Sequence, residues 1–392
     1  MEEQQKKSVV PYLLAAAALI LGLLSLLLYQ KNRNLEQELA KNERLTELEN
    51  YVDQNFYQAV DTDAAMDGAL KGYVAGLNDP YSSFLTEEEY NDWQVMESGT
   101  SVGIGVTVQS AEDEGMLVVE VNPDSPAEQY GVQVDDVIVA VDGKTVSELG
   151  FEGAVAAVKG EVGTEVVLTI QRGEEQIDCT VVRSEIVTVT ASGQMLEGNV
   201  GYIRISAFRE NTDEQFMEAL ETLLDAGAES LIFDVRNNGG GLLTSLEKSL
   251  DPLLPEGIIA IASYGNGTVQ TIVSSDAEEL ELPMAVLVNG NTASAAELFS
   301  ASLHDFEKAF LVGTTTFGKG VMQDTRTVSG GAVTLTVATY QTVRGECYHG
   351  VGITPDYEET LPDDYAINFE EPDLEGDTQL RCAYEMLTQE GE

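Results

Sequence analysis

The sequence predicts an α/β multidomain protein with an N-terminal transmembrane helix, and three features of the 392-residue chain carry that expectation. The stretch Val9 to Tyr29, VVPYLLAAAALILGLLSLLLY, contains no charged residue. Short apolar runs separated by turn residues fill Ser101 to about Glu185, as a β-rich domain requires. From Gly201 onward strand-like and helix-like segments alternate, which argues for a layered α/β domain.

At about 1.5 Å per residue the first run is long enough for the roughly 30 Å hydrocarbon core. It reads as a retained span over 9–29 after a short tail 1–8, because no small-x-small cleavage site follows before Lys31. Lys6 and Lys7 precede it and Lys31, Arg33, Lys41 and Arg44 follow, so charge alone leaves its orientation open. The expected localisation is the cell membrane, single-pass, with the body extracytoplasmic.

A helical stalk and N-terminal helical segment are expected over 30–94. Leu35, Leu39, Leu45 and Leu48 lie on a charged background, leaving a homo-oligomer open. Within GLNDPYSSFLTEEEY, Asp79-Pro80 forces a turn, and Thr86 with Glu89 has capping-box spacing. The β-rich domain is placed at 95–185, interrupted by a helical FEGAVAAVKG, the α/β core at 186–360, and a poorly packed acidic segment at 361–392.

Composition excludes several functions. With 20 basic and 68 acidic residues the formal charge is -48, which repels phosphate backbones, so nucleic acid is not an expected partner. Three dispersed cysteines, Cys179, Cys347 and Cys382, and two histidines give no metal-ligand spacing. Neither metal nor cofactor is expected.

Four motifs compete for the chemistry. GTTTFGKG, Gly313 to Gly320, fits a phosphate-binding loop until Gly320 stands where a Ser or Thr must hold magnesium. Ser245 and Lys248 fit S-x-x-K without its partner motifs. A histidine base would have to be His304 or His349, and no GxSxG turn exists to present a nucleophile. In NGNTASAAELF, Ser294 falls at the start of an amphipathic helix, where the Ala295 amide and the dipole can hold a developing oxyanion. On local sequence alone a helix N-cap is the stronger reading of Ser294. A second donor loop, RNNGGG at Arg236 to Gly241, reads equally as a flexible turn.

Taken together, GLNDPYSSFL, SVGIGVTV, VNPDSPAEQYGVQVDDVIVAVDGKTV, FDVRNNGGG, NTASAAE, TTFGKGVMQ and YHGVGITPD resemble the segments of the carboxyl-terminal processing (tail-specific) peptidases of the S41 family. The resemblance implies a PDZ domain at 95–185 and a crotonase-like protease core. It implies Ser294 as nucleophile, Lys319 as general base, Gln323 as the residue orienting the lysine, and oxyanion donors at Ala295 and at Gly240 or Gly241. A four-residue step would put Lys319 and Gln323 on one face if that segment is helical. A lysine with its ordinary pKa of about 10.4 is no base near neutrality, so an apolar surround is required. Phe317, Val321 and Met322 are candidates for it. The PDZ domain would take a substrate C-terminus, its carboxylate on amides around Val102, Gly103, Ile104 and Gly105. Partners would then be proteins or peptides with exposed C-termini. Gly239, Thr292 and Ala296 depart from the family's usual Pro, Ser and Ser. Gly239 leaves the oxyanion loop less stiff, and with the acidic surface it motivates the alternative of an inert PDZ-containing scaffold. An acyl-CoA enzyme ranks last, since no basic site for the CoA phosphates is visible.

Overall fold

The computed structural model describes residues 10–111, 115–122, 125–276 and 279–389, with the side chains of 19–33 and of those from 43 onward. Two compact units, 1–73 and 74–392, divide the chain. In the first unit a helix runs unbroken over Val10–Asn55, followed by a helix at Thr62–Ala75 that continues into the second. Tail 1–8, Val9, and the side chains of Leu35 and Leu39 lie outside the described residues. Among the described residues no helix is long and apolar enough to cross a membrane, so the span expected at 9–29 is not supported.

The core of the second unit is a six-stranded sheet in the order Ala191–Leu196, Val200–Ile205, Ser230–Asp234, Met284–Val288, Ala309–Gly313, Tyr357–Glu358. All neighbours are parallel except the first pair. The three central strands are buried at every position because both faces are covered, which explains their continuous apolar runs. On one face Phe216, Leu220 and Leu223 of helix Thr212–Asp225 join Leu246 and Leu250 of Leu243–Leu250 and Leu298 and Phe299 of Ala295–Asp305. On the other face, helix Thr378–Gln389 lays Leu380, Ala383 and Leu387 against Tyr202, Ile232, Leu287 and Val312. The acidic C-terminal segment is therefore not poorly packed. At about 1.5–3 kcal/mol per buried leucine, Leu380 and Leu387 together contribute roughly 3–6 kcal/mol to holding the helix down.

A second, five-stranded sheet joins Ser83–Thr86, Gly331–Thr342, Gly257–Tyr264 and Val269–Ser275, with Val321–Val328 added to Gly331–Thr342. The expected N-terminal helical segment thus contains a strand, with Phe84 buried and Ser83 paired to Thr334. The capping box at Thr86 and Glu89 is formed, each backbone amide donating to the other's side chain.

The β-rich domain has its own apolar core of Met116, Val118, Ile138, Val166, Leu168 and Ile170, beneath helix Phe151–Val158. Its sheet runs Val106–Ser110, Met116–Val121, Val137–Val141, Glu165–Arg172, Glu175–Val182, so Val106–Ser110 is an open edge strand. A two-stranded ribbon, Thr100–Gly103 against Ser184–Val187, joins it to the core.

Candidate active site

The carboxyl ends of three adjacent parallel strands supply the site, the location where open α/β sheets ordinarily bind ligands. After Asp234 comes 235–242, after Val288 comes 289–294, and after Gly313 comes 314–320. Ser294, Lys319, Gln323, Gly240 and Gly241 together line one cleft of about 730 Å³, with Tyr81, Trp93, Met96, Leu242 and Met322 among its walls.

Ser294 sits at the N-cap of Ala295–Asp305 with φ 58° and ψ −121°. For a non-glycine residue this backbone costs about 1–3 kcal/mol and persists only where the surroundings over-determine it. Here they do. The Ala293 amide donates to Asn238 O at 2.9 Å, the Asn238 side chain to Ile205 O at 3.0 Å, and the Thr292 hydroxyl to Val235 O at 2.9 Å. Gly240 packs directly on this turn: a Cβ there would lie 2.7 Å from Ser294 Cβ and 2.9 Å from Ala295 N. Gly240 has φ 103°, a second reason for glycine. Its own amide donates to Asn238 Oδ1 at 2.8 Å. The Ala295 amide is one of the first-turn donors a helix leaves without an intrahelical acceptor.

Sequence reasoning missed the residue that ties these segments together. Glu297 is fully buried, and its carboxylate accepts four hydrogen bonds: from Ser294 N at 3.0 Å, Thr316 Oγ1 at 2.6 Å, Gly318 N at 2.7 Å and Lys319 N at 2.7 Å. The signal was the Ser-x-x-Glu spacing in NTASAAE, where Glu at the third helical position reaches back to the N-cap amide. It therefore fixes the backbones of Ser294 and Lys319 with one charge.

Lys319 is half-buried. Burial pushes its ammonium below the ordinary lysine value, against the opposing pull of Asp79 and Glu297. Val321 and Met322 line the cleft with it, but Phe317 is 56% exposed and gives no cover. The cover comes from Tyr81, whose ring centroid lies 4.9 Å from Lys319 Nζ. The buried Tyr340, which lines the cleft with Ser294, donates its hydroxyl to Lys319 O at 2.7 Å. No direct Ser294–Lys319 side-chain bond forms among the described residues. Catalytic hydrogen bonds commonly tighten only when substrate is seated.

Gln323 lies on strand Val321–Val328, so the helical face expected for Lys319 and Gln323 does not exist. Its amide donates to Thr336 Oγ1 at 3.1 Å. The rival motifs separate from the site. Gly313–Gly320 runs into a strand and so presents no helix N-terminus to a phosphate. Ser245 is buried while Lys248 pairs with Asp213 at 2.7 Å. His304 is in the last turn of the helix that begins after Ser294, bonded to Asp356 at 3.2 Å. His349 packs edge-on against Tyr81 at 6.4 Å.

In the β-rich domain, Val102 and Gly103 belong to the ribbon, opposite Glu185 and Ser184, and Ile104 and Gly105 form the turn beyond it. All four line a groove of about 250 Å³ bounded by Val106, Val108, Val155 and Val158. Among the described residues no cluster of His, Cys, Asp and Glu could hold a metal ion.

A strained serine at a helix start, glycine amides beside it and a half-buried lysine in the same cleft define a hydrolase site of the serine type. Comparison with known proteins agrees. Residues 199–359 match the model of peptidase family S41, 117–172 that of a PDZ domain, and 25–89 that of the activating protease CtpB N-terminal domain. The carboxy-terminal processing protease CtpA of Bacillus subtilis is 34% identical over 89% of this chain and 76% of its own length. A probable CtpA-like serine protease of Staphylococcus aureus is 33% identical over 86% of this chain and 68% of its own. Among solved structures, a putative S41 protease from Bacteroides fragilis shares the fold, with a TM-score of 0.50 and 19% identity over 86% of this chain and 91% of its own. The chain belongs to peptidase family S41, as a CtpA-like serine-type protease carrying a PDZ domain.

Proposed function

We propose that the chain cleaves protein substrates near or from their C-termini through a Ser294–Lys319 dyad, the PDZ groove capturing the substrate's C-terminus. The observation that carries this reading is Glu297 fixing the nucleophile and lysine segments at the mouth of one cleft. The neutral Lys319 amine takes the Ser294 hydroxyl proton as the oxygen attacks the scissile carbonyl. The tetrahedral oxyanion is held by the Ala295 amide and by Gly241, since the Gly240 amide is committed to Asn238. The lysine returns its proton to the leaving amine, and water resolves the acyl-enzyme by the same base. Gln323 orients the lysine, acting through Thr336 in the conformation seen here.

The edge strand Val106–Ser110 supports capture by strand addition, with the carboxylate at the Ile104–Gly105 turn. A membrane anchor is proposed from the uncharged run at 9–29, in which the side chains of Leu19 to Tyr29 are exposed, and the body is proposed to lie outside the cytoplasm. Membrane fractionation, followed by a membrane-impermeant thiol reagent on intact cells, tests both points. The central test is a protein with an apolar tail incubated with wild type and Ser294→Ala. Cleavage should be lost in the variant, and equal cleavage by both ends the proposal.

A further inference from the structure

The turn that precedes the strand Ser83–Thr86 is built around one carboxylate. Asp79 accepts from Tyr81 N at 3.3 Å and from the Ser82 hydroxyl. Ser82 in turn accepts from Thr336 N at 3.0 Å, and strand pairing of Ser83 with Thr334 locks the turn to the five-stranded sheet. The outcome is that Tyr81 lies against the Lys319 amine at 4.9 Å, inside the cleft, with His349 edge-on to the ring at 6.4 Å. Of the carboxylates that act on that amine, Asp79 exerts the larger pull and Glu297 the smaller. Glu297 has four donors on its two oxygens already, two of them at 2.7 Å from the Gly318 and Lys319 amides.

We propose that Asp79 and Tyr81 are positioning residues for Lys319: the Tyr81 ring shields the amine from water, and the Asp79 carboxylate balances the ammonium formed when the lysine takes the serine's proton. This rests on the dyad reading above. Thr336 joins the same arrangement to Gln323, whose amide donates to its hydroxyl at 3.1 Å, so the base is steered from the turn and not from Gln323 directly. The two parts pull oppositely on the base. Shielding favours the neutral amine, while the anion and the ring's π-face favour the ammonium. The other ionisable groups around the amine and its two neighbours are Glu297 on the helix after Ser294, Tyr340 on Gly331–Thr342, Asp324 on Val321–Val328, His349 against Tyr81 and Asp79, and Glu97 with Arg209 across the cleft. None of these changes in the variants below.

The test is the pH dependence of Ser294 labelling by a fluorophosphonate probe in the full chain. Wild-type labelling should rise with pH to a plateau. In Asp79→Asn the midpoint should fall by roughly one pH unit with the plateau about tenfold lower, and Asp79→Glu should restore the midpoint. Tyr81→Ala, which opens the amine to water, should move the midpoint up, whereas Tyr81→Phe should leave it in place. A purely structural role would lower plateaus without moving midpoints, and unmoved midpoints in Asp79→Asn and Tyr81→Ala overturn the assignment. If Asp79→Asn does not fold, the Ala and Phe variants of Tyr81 decide alone. Lys319→Ala labelling as fast as wild type would instead sink the dyad itself, so the two failures are distinguishable.

Discussion

The catalytic corner and the PDZ domain are held together in opposite ways. At the corner, buried polar groups from segments far apart in sequence converge: Glu297 bonds four donors, Asn238 links Ile205, Gly240 and Ala293, and Arg236 links Asp234 to Asp377 and Gln379. The PDZ domain instead rests on its own apolar cluster and reaches the core through a two-stranded ribbon. A hydrogen-bonded corner resists displacement, because each lost bond leaves a buried group unsatisfied at about 1–3 kcal/mol. An apolar domain on a ribbon should tolerate changes at its groove with little consequence for the corner, which on the proposed function would separate chemistry from substrate capture.

That contrast breaks most visibly at Lys319. Lys319→Arg keeps the positive charge but cannot give up its proton, so probe labelling should fall by roughly 10²–10⁴ with folding intact. Retained labelling would show that the corner needs only a cation. The same pH profile fixes the sign for wild type. Burial lowers the lysine's pKa, so activity should rise with pH through a midpoint below the ordinary lysine value.

Next in size is Arg236, 1% exposed and bonded to both Asp234 and Asp377. Burial alone would push the Asp234 carboxyl up, but Arg236 and Arg204 outweigh it and hold it below the usual range. Arg236→Ala leaves buried Asp377 without its cation and Asp234 with only Arg204 at 3.6 Å, and should cost roughly 3–5 kcal/mol in urea unfolding. In the PDZ pair Arg172–Asp136 the arginine is 36% exposed and the buried carboxylate keeps the Gln133 amide at 2.8 Å, so Arg172→Gln should cost less, about 1–3 kcal/mol. Equal losses in the two variants would erase the distinction between the regions.

Gly240→Ala sharpens it. The added Cβ meets the Ser294 Cβ at 2.7 Å, so the nucleophile turn must shift, and a shift near 1 Å costs about 10²-fold in labelling. In the PDZ groove, Val155→Glu should raise KM for a protein with an apolar tail about tenfold and leave labelling by the small probe unchanged. If labelling fell equally, the groove would belong to the corner.

These two variants also show what the sequence could and could not disclose. Ser294, Lys319 and the glycines came into view only through the combined family motifs, since on local sequence alone Ser294 reads as an N-cap, Lys319 as part of a phosphate-binding loop and the glycines as a flexible turn. The layered core was legible because strands covered on both faces become continuous apolar runs. Glu297 was overlooked: its Ser-x-x-Glu spacing marks an ordinary capping box in a chain with 68 acidic residues, and only its contact with Lys319 across the fold shows that it joins two site segments. Tyr81 was hidden for the same reason, since nothing local relates it to a lysine 238 positions later (319 − 81). The helix Thr378–Gln389 was misread because the acidic residues before it outweighed the spacing of Leu380, Ala383 and Leu387, which suits one buried face.

The smallest effect lies at the far end of the nucleophile's own helix. His304 bonds Asp305 and Asp356, and those partners, chiefly the Asp305 bond, raise its pKa from 6.5 to about 9. Asp356 also accepts from Leu311 N at 2.8 Å, so the charged imidazole clamps the helix C-terminus to a strand of the parallel sheet. A raised pKa means that this contribution is fully present below about pH 6.5, and is lost as pH rises through about 9. The side chain is 38% exposed, so solvent screening limits it to about 0.3–1 kcal/mol. Melting temperature should therefore fall between pH 6.5 and 9.5 more steeply in wild type than in His304→Gln, which lacks the titrating group. Labelling per folded molecule should be the same in both, because the clamp acts at the opposite helix end from Ser294. Parallel melting curves would remove the clamp, and a labelling difference would mean that the corner's rigidity extends along the whole helix.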